Sequence, residues 1–265
     1  MVIMMDVGKI VSNSVKYPFR NIKKLPILFI LFILAAIVPI GMISDNSYLT
    51  TFGVIAFFIF ILITPGYLFS FIKIGVHESA VMPSLSFARN IYDTVRLFVL
   101  RIVYMIVPAL VFFIVLSTLG TSSIGMLQNL DVRSFILTAG LSLVIVLITY
   151  ILFEILLFFA KARLAYLNSL TEALNMYKVV LDIRRIGVFN IIKWLVFMAI
   201  LLIAVSFISS WILAIPYVGF LIYIGIIIPT LESIGNYSLG LLYSNIDDNR
   251  SGLVKSESGI GRFKN

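Results

Sequence analysis

Four polar residues of this sequence fall inside otherwise apolar segments, where their side chains could bind a ligand or ion, or could join helices. They are Arg101, Glu154, Glu232 and Asn236. In a membrane segment, ionisable side chains of this kind are the sharpest indicators of function, because hydrocarbon penalises any charge that is not paired. Arg101 and Glu154 reach comparable depth in consecutive antiparallel segments, so we predict that they pair. Glu232 and Asn236 are four residues apart, which places both on one face of a helix.

Two interpretations of these four residues are open. In the first, which we favour, they hold helices together through Arg101 and through Ser, Thr and Tyr partners. In the second, Glu154 and Glu232 belong to a cytosol-facing polar cavity that binds a small ligand or cation. An uncompensated carboxylate costs at least roughly 2.5 kcal/mol on insertion scales, and either pairing or protonation relieves that cost.

The sequence lacks the residues on which most catalytic and metal sites depend. It has no cysteine and a single histidine, His77, which excludes thiolate sites and every metal site that needs two histidines. The patterns H-E-x-x-H, G-x-x-x-x-G-K-[ST] and G-x-S-x-G do not occur, so a zinc metalloprotease, a nucleotide motor and an α/β-hydrolase are all disfavoured. We interpret His77-Glu78 as a solvated or interfacial pair. The expectation is therefore no catalytic residue, no metal, no cofactor and no enzymatic activity.

The elements that position these residues follow from composition. Of the 265 residues, 61% are hydrophobic and 12% are charged, whereas a soluble domain carries about 25% charged residues. The mean hydropathy is +1.12. Since roughly 20 apolar residues cross a bilayer as a helix, the sequence predicts an all-α integral membrane fold. Its six transmembrane helices, in three hairpins, are predicted over 25–43, 52–72, 97–119, 135–160, 191–213 and 217–243.

The basic residues predict the orientation of these spans. Nineteen of the twenty Lys and Arg residues fall on one side of the predicted topology, and Arg133 falls on the other. Because basic residues stay cytoplasmic, we expect a multi-pass protein of the cell membrane with both termini in the cytoplasm. The net charge of +8 then favours contact with an anionic inner leaflet rather than with nucleic acid.

Outside the spans, the apolar spacing predicts amphipathic helices at the membrane interface over 2–16, 82–96 and 169–186. The third begins with a capping box formed by Ser169 and Glu172. One narrow polar face of this helix is predicted to hold Thr171, Asn175, Lys178, Asp182 and Arg185. The chain therefore divides into an interfacial N-terminal arm (1–24), a membrane domain (25–243) and a disordered cytosolic tail (244–265).

Short motifs spread along the chain resemble those of a known family. They include Met5-Asp6-Val7-Gly8, Tyr17-Pro18-Phe19, Pro65-Gly66-Tyr67, Met82-Pro83, Ala162-Arg163-Leu164-Ala165-Tyr166 and Ile228-Pro229. In these motifs the chain is similar to archaeal and bacterial membrane proteins of the domain-of-unknown-function family four thousand and thirteen, over roughly residues 5–245. The resemblance implies an integral membrane protein of uncharacterised function, and it transfers no catalytic residue.

Two classes of function fit the sequence. The first is a membrane scaffold or assembly partner that presents a basic cytosolic face to another membrane protein or to a second copy of itself. The second is a small transporter or permease component with a polar intramembrane site around Glu154 and Glu232, whose small-molecule ligand the sequence does not identify.

Overall fold

The computed structural model describes residues 6–128, 132–215 and 217–246, and in this part of the chain every regular element is helical. The elements are α1 (Val7–Arg20), α2 (Leu25–Ile43), α3 (Ser47–Val76), α4 (Phe87–Gln128), α5 (Val132–Leu167), α6 (Leu170–Leu174), α7 (Met176–Ile186), α8 (Val188–Leu213), α9 (Val218–Ile222), a π-helical turn (Tyr223–Ile227) and α10 (Ile228–Ser244). The predicted tail (244–265) lies outside the described residues from residue 247 onward. The predicted domain boundaries stay predictions.

Among the described residues, six helical segments are long and apolar enough to cross a membrane. They are Leu25–Ile43, Ser47–Val76, Phe87–Leu119, Leu137–Leu167, Val188–Leu213 and Val218–Ser244. The prediction of an all-helical chain with six apolar spans is confirmed. The grouping into three hairpins and the membrane-surface position of the amphipathic helices stay predictions.

The segment 82–96 differs from its prediction as a separate amphipathic helix. Residues 82–86 are not helical, and α4 begins at Phe87 and runs without a break into the third span. No proline or glycine separates the polar first turns from the apolar part, and an interruption would leave backbone groups without partners. The third span therefore starts about ten residues before the predicted boundary at Leu97 and projects its charged first turns beyond the apolar part.

The segment 169–186 also differs from its prediction, because it forms two helices, α6 and α7, rather than one. Ser169 caps α6, where its hydroxyl accepts a hydrogen bond from Glu172 N at 3.4 Å. Asn175 interrupts the helix with an extended backbone and caps α7 by accepting a hydrogen bond from Lys178 N at 3.2 Å. Asparagine side chains compete for backbone donors in this way, which explains a break that apolar spacing does not show.

Helix α3 is the centre of the bundle, because it packs against α2, α4, α5 and α10. Its contact with α10 is close at Gly75 and Gly240. A Cβ atom on Gly75 would overlap the carbonyl oxygen of Tyr237, and one on Gly240 would overlap that of Ile72. Small residues allow such close backbone approach between helices, so these two glycines determine how near α10 can lie to α3.

Helix α1 is amphipathic and packs against the end of the bundle where Gly75 and Gly240 lie. Asp6 caps it by accepting a hydrogen bond from Lys9 N at 3.1 Å. The buried face of the helix includes Val7, Ile10 and Tyr17 and contacts α10 and α8. The end of the bundle that contains α1, the last turns of α3, α5 and α10 and the first turns of α4 is called the basic end below.

Candidate functional site

Polar side chains collect at the basic end of the bundle, and Arg163 is the largest of those that are fully buried. It lies in the last turns of α5, and 1% of its side chain is exposed. Its Nη1 donates a hydrogen bond to the Asp182 carboxylate on α7, which is 1% exposed as well. Tyr243 Oη on α10 donates to the same carboxylate at 2.6 Å. Three helices that are not consecutive in the chain, α5, α7 and α10, are therefore joined through one buried carboxylate.

Glu172 on α6 completes this group, which we call the Arg163 cluster (Arg163, Glu172, Asp182 and Tyr243). The Glu172 carboxylate accepts a hydrogen bond from Arg163 Nη2 at 2.9 Å, and the Glu172 carbonyl accepts one from Arg163 Nε at 3.0 Å. Lys178 Nζ donates to both carboxylate oxygens, at 2.8 and 2.9 Å. These bonds, those from Lys178 above all, hold the pKa of the Glu172 carboxyl below its usual value.

A second cluster of charges, the Asp93 cluster (Lys73, Asp93, Arg96 and Asn168), ties α3, α4 and the α5–α6 connection together. Lys73 Nζ donates to Asp93 Oδ2 at 2.7 Å, and Asp93 is 1% exposed. Arg96 lies 3.6 Å from the other oxygen of Asp93 and donates to the side-chain and backbone oxygens of Asn168 at 2.8 and 2.7 Å. Removing one partner of a buried pair leaves an uncompensated charge, which costs about 3–5 kcal/mol. Both clusters therefore act as rigid joints of the basic end.

The residues predicted from the sequence lie elsewhere, on the outside of the bundle. Arg101 on α4 and Glu154 on α5 lie 3.3 Å apart, with 59% and 20% of their side chains exposed. Tyr150 Oη donates to Glu154 Oε1 at 2.8 Å. The structure thus brings Arg101 and Glu154 together at a surface whose neighbouring side chains are exposed and apolar, such as Phe98 and Ile151.

Glu232 and Asn236 form a separate contact on α10. Asn236 Nδ2 donates to the Glu232 carbonyl at 2.8 Å and to its Oε2 at 3.1 Å. Lys161 on α5 contacts neither predicted group directly, but its charge interacts at longer range with those of Glu154, Arg101 and Glu232. Lys161 makes no hydrogen bond or salt bridge with any residue that the structure describes, and its ammonium lies 5.2 Å from the centre of the Phe158 ring.

The buried clusters were not identified as sites by the sequence analysis. Arg163 was named there as part of the motif Ala162-Arg163-Leu164-Ala165-Tyr166, and Asp182 as a member of the polar face of the helix over 169–186. One signal for Asp182 was available in the sequence. A helix that docks under the bundle can bury its carboxylates, and a buried carboxylate needs a cationic partner. The sequence does not say which of the nearby basic residues provides it.

Metal binding finds no support among the described residues, where no group of three or more His, Asp or Glu side chains has the arrangement of a metal site. Within the Arg163 cluster and within the Asp93 cluster, the acidic and basic side chains pair with one another. What the arrangement can do chemically is to hold helices in place and to present polar groups at the protein surface.

The chain matches the model of a known protein family. The model of a family described as a protein of unknown function, DUF4013, matches residues 49–215. No curated protein and no solved structure matches the chain. The matched segment contains both members of the Arg101–Glu154 pair as well as Arg163 and Asp182.

Proposed function

Since the chain belongs to DUF4013, a family of unknown function, and has six helices apolar enough to span a membrane, we propose that it is a membrane scaffold or assembly partner that presents a basic cytosolic face. The observation that carries this proposal is the position of the Arg101–Glu154 pair on the outer surface of α4 and α5. More than half of the Arg101 side chain is exposed there.

An exposed ion pair in an apolar span needs an environment that compensates it. Arg101 is about one turn into the predicted third span, and its exposed neighbours Phe98 and Ile102 are apolar. Charged residues in spans almost always face the bundle interior or a water-filled cavity, and they pair with one another or with backbone carbonyls. In this chain the pair faces outward, so a second membrane protein, or a second copy of the chain, supplies the missing cover.

The rigid basic end supports the same proposal. The Arg163 and Asp93 clusters fasten α6 and α7 to the spans, so the surface of α7 is held in a defined position. Tyr177 and Arg184 are exposed on that surface. An aromatic and a guanidinium on a fixed surface are the side-chain types that protein interfaces favour. This surface offers a soluble or membrane-bound partner a preorganised contact.

Site-specific photocrosslinking tests the proposal. A photoreactive residue in place of Phe98 or Ile151 lies beside the Arg101–Glu154 pair, whereas Phe207 is at least as exposed as either and lies on α8, away from that pair. We expect a discrete protein adduct at the first two positions, identified by mass spectrometry, and lipid adducts at Phe207. Lipid adducts alone at all three positions would contradict the proposal.

A small transporter or permease component is the second candidate, and one observation favours it. Lys161 lies within electrostatic range of both Glu154 and Glu232 without a hydrogen-bonded partner among the described residues. A cation or small anion could exchange between these groups. Glu154→Gln separates the candidates, because transport requires that ligand binding falls with it. Persistence of ligand binding while only stability falls leaves the scaffold role.

The remaining parts of the proposal concern location and chemistry. We place the protein in the cell membrane with both termini cytoplasmic, in contact with the anionic inner leaflet. The proposal includes no catalytic activity and no cofactor, as the sequence leads us to expect. The most direct test of partner or ligand is purification in native-like lipid with mass spectrometry of the molecules that accompany the chain.

A further inference from the structure

A cavity of about 210 Å³ opens at the basic end, where α1 and α10 meet the α3–α4 connection. It is separate from the Arg163 and Asp93 clusters. Its lining residues come from these three elements and are Asn13, Tyr17, Arg20, Glu78, Ala80, Tyr237 and Leu241.

The aromatic wall of the cavity is preorganised. The rings of Tyr17 and Tyr237 stack with centroids 3.9 Å apart and planes 16° from parallel. Tyr17 Oη donates to the carbonyl of Val81 at 3.3 Å, and Tyr237 Oη donates to that of Ser79 at 3.2 Å. Burial raises the pKa of the Tyr17 phenol, so it stays a donor. The wall therefore keeps its shape without a ligand.

Two opposite charges line this cavity without pairing with each other. Arg20 makes no hydrogen bond or salt bridge with any residue that the structure describes. Glu78 accepts one hydrogen bond, from Ser244 Oγ at 3.1 Å, which leaves most of its carboxylate lone pairs available. A guanidinium and a carboxylate at one cavity match a molecule that carries both an anionic and a cationic group.

The backbone at Glu78 is an independent observation. Glu78 has a φ of +52°, and it lies two residues after Val76, the last residue of α3, at the C′ position of a Schellman motif. Glu78 N donates to Gly75 O, and Ser79 N donates to Ile74 O, both at 3.0 Å. Glycine is the usual residue at this position, because the left-handed conformation is unfavourable for a residue with a Cβ atom. Such strain persists only where the surrounding structure holds the residue in place, and here the Schellman motif holds Glu78 at the cavity.

From these observations we infer that the cavity binds the headgroup of a zwitterionic phospholipid, a phosphate joined to an ammonium as in phosphoethanolamine. Arg20 binds the phosphate, since guanidinium and phosphate form charge-assisted bidentate hydrogen bonds. Glu78 binds the ammonium. This inference is independent of the proposed scaffold role.

The surroundings of the cavity favour a lipid over a soluble compound. Phe19 and Ile22 flank Arg20 and are each 64% exposed, and Val81 beside Ala80 is 62% exposed. Apolar side chains at the end of an amphipathic helix insert at the boundary between headgroups and acyl chains. The headgroup of a neighbouring lipid would thus lie at the level of the cavity while its chains contact these residues.

The test uses the full-length protein in nanodiscs of phosphatidylglycerol with a minor fraction of phosphatidylethanolamine, followed by native mass spectrometry of retained lipid. We expect the wild-type protein to retain phosphatidylethanolamine in preference to phosphatidylglycerol. Glu78→Gln should lower that preference about tenfold, the size expected for a lost charge-assisted hydrogen bond. Arg20→Gln should instead lower the total retention of both lipids by a similar factor, because both carry the phosphate. Lys9→Gln removes an exposed charge from α1, the helix of Arg20, at a position outside the cavity. It should change neither the lipid preference nor the total retention.

Glu78→Gly distinguishes a lost site from a damaged fold. It removes the carboxylate but relieves the left-handed strain, so its thermal midpoint should not fall below that of wild type while the lipid preference is lost. Equal retention of both lipids by wild type, or an equal loss in Lys9→Gln, would overturn the inference. So would tight binding of soluble phosphoethanolamine without selective retention of the lipid, since it would point to a free metabolite.

Discussion

Tyr243 on α10 donates a 2.6 Å hydrogen bond to Asp182 on α7, on the carboxylate oxygen to which Arg163 of α5 also donates. This single oxygen joins the end of the last span, the end of the fourth span and the connection between the fourth and fifth. The contact makes Asp182 the residue on which the geometry of the basic end depends most directly.

Asp182→Asn should therefore destabilise the protein strongly. The substitution removes the charge of the fully buried one of the two carboxylates that pair with Arg163, and breaking a buried ion pair costs about 3–5 kcal/mol. Thermal unfolding in detergent should show a clearly lower midpoint. Arg184→Gln, which removes an exposed charge from the same helix, should change the midpoint little. A similar midpoint for wild type and Asp182→Asn would contradict the role assigned to this carboxylate.

The double variant Arg163→Met with Asp182→Leu provides a further check. Replacing a buried ion pair by apolar residues of similar volume is often neutral or stabilising. We expect the double variant to recover much of the stability that Asp182→Asn loses. Failure to recover would mean that Glu172 and Tyr243, left without their partner, dominate the energy of the cluster.

Glu172 should give the α6–α7 connection a dependence on acid pH. Its folded-state pKa lies below the usual value of about 4.3, because hydrogen bonds from Lys178 and then Arg163 favour the charged form. The stabilisation is thus complete above that usual value and is lost as the pH falls through the lower folded-state pKa. Its size should be at most about 1 kcal/mol, because the pair is partly exposed.

The comparison of wild type with Glu172→Gln measures this effect. The difference between their thermal midpoints should be constant from neutral pH down to the usual carboxyl pKa and should shrink below it. Other carboxylates titrate alike in both proteins and therefore cancel. A difference that does not change with pH would show that the charge of Glu172 contributes nothing.

Gly75→Ala should disturb the contact between α3 and α10. The added methyl group would meet backbone atoms of Tyr237 and Gly240, which cannot move aside as a flexible side chain could. Overpacking of this kind costs about 1–3 kcal/mol. Gly140→Ala on α5 is the matched control, because its Cβ atom would have no neighbour within 4 Å. It should be slightly stabilising, since alanine favours a helix. The reverse order of the two thermal midpoints would be incompatible with a close α3–α10 contact.

Cysteine accessibility tests the proposed orientation without background, because the sequence contains no cysteine. Asp45→Cys lies in the α2–α3 connection and Arg184→Cys on α7 at the basic end, and both residues are exposed. A membrane-impermeant maleimide should label Asp45→Cys in intact cells and Arg184→Cys after permeabilisation alone. Leu157→Cys is buried and should stay unlabelled in both conditions. Labelling of Arg184→Cys in intact cells would contradict the proposed topology, because it would place the basic end outside the cell.

Some features of the fold could be derived from local sequence. Apolar length alone identifies the six spans, because each must bury a full bilayer thickness of backbone. The contact of Arg101 with Glu154 follows from depth in adjacent antiparallel spans. The start of α4 at Phe87 and the break at Asn175 did not follow, because they depend on whether backbone groups find partners, and apolar spacing carries no information on this.

The sequence by itself determined that this chain is a helical, multi-pass membrane protein, since hydropathy acts segment by segment and needs no knowledge of neighbours. Only the tertiary structure decided which charges meet. Arg163 and Asp182 are 19 residues apart and meet because α7 folds back under α5. Tertiary packing likewise left Arg101 on the outside and placed Arg20 near Glu78, because the distance between two side chains depends on the relative position of whole helices.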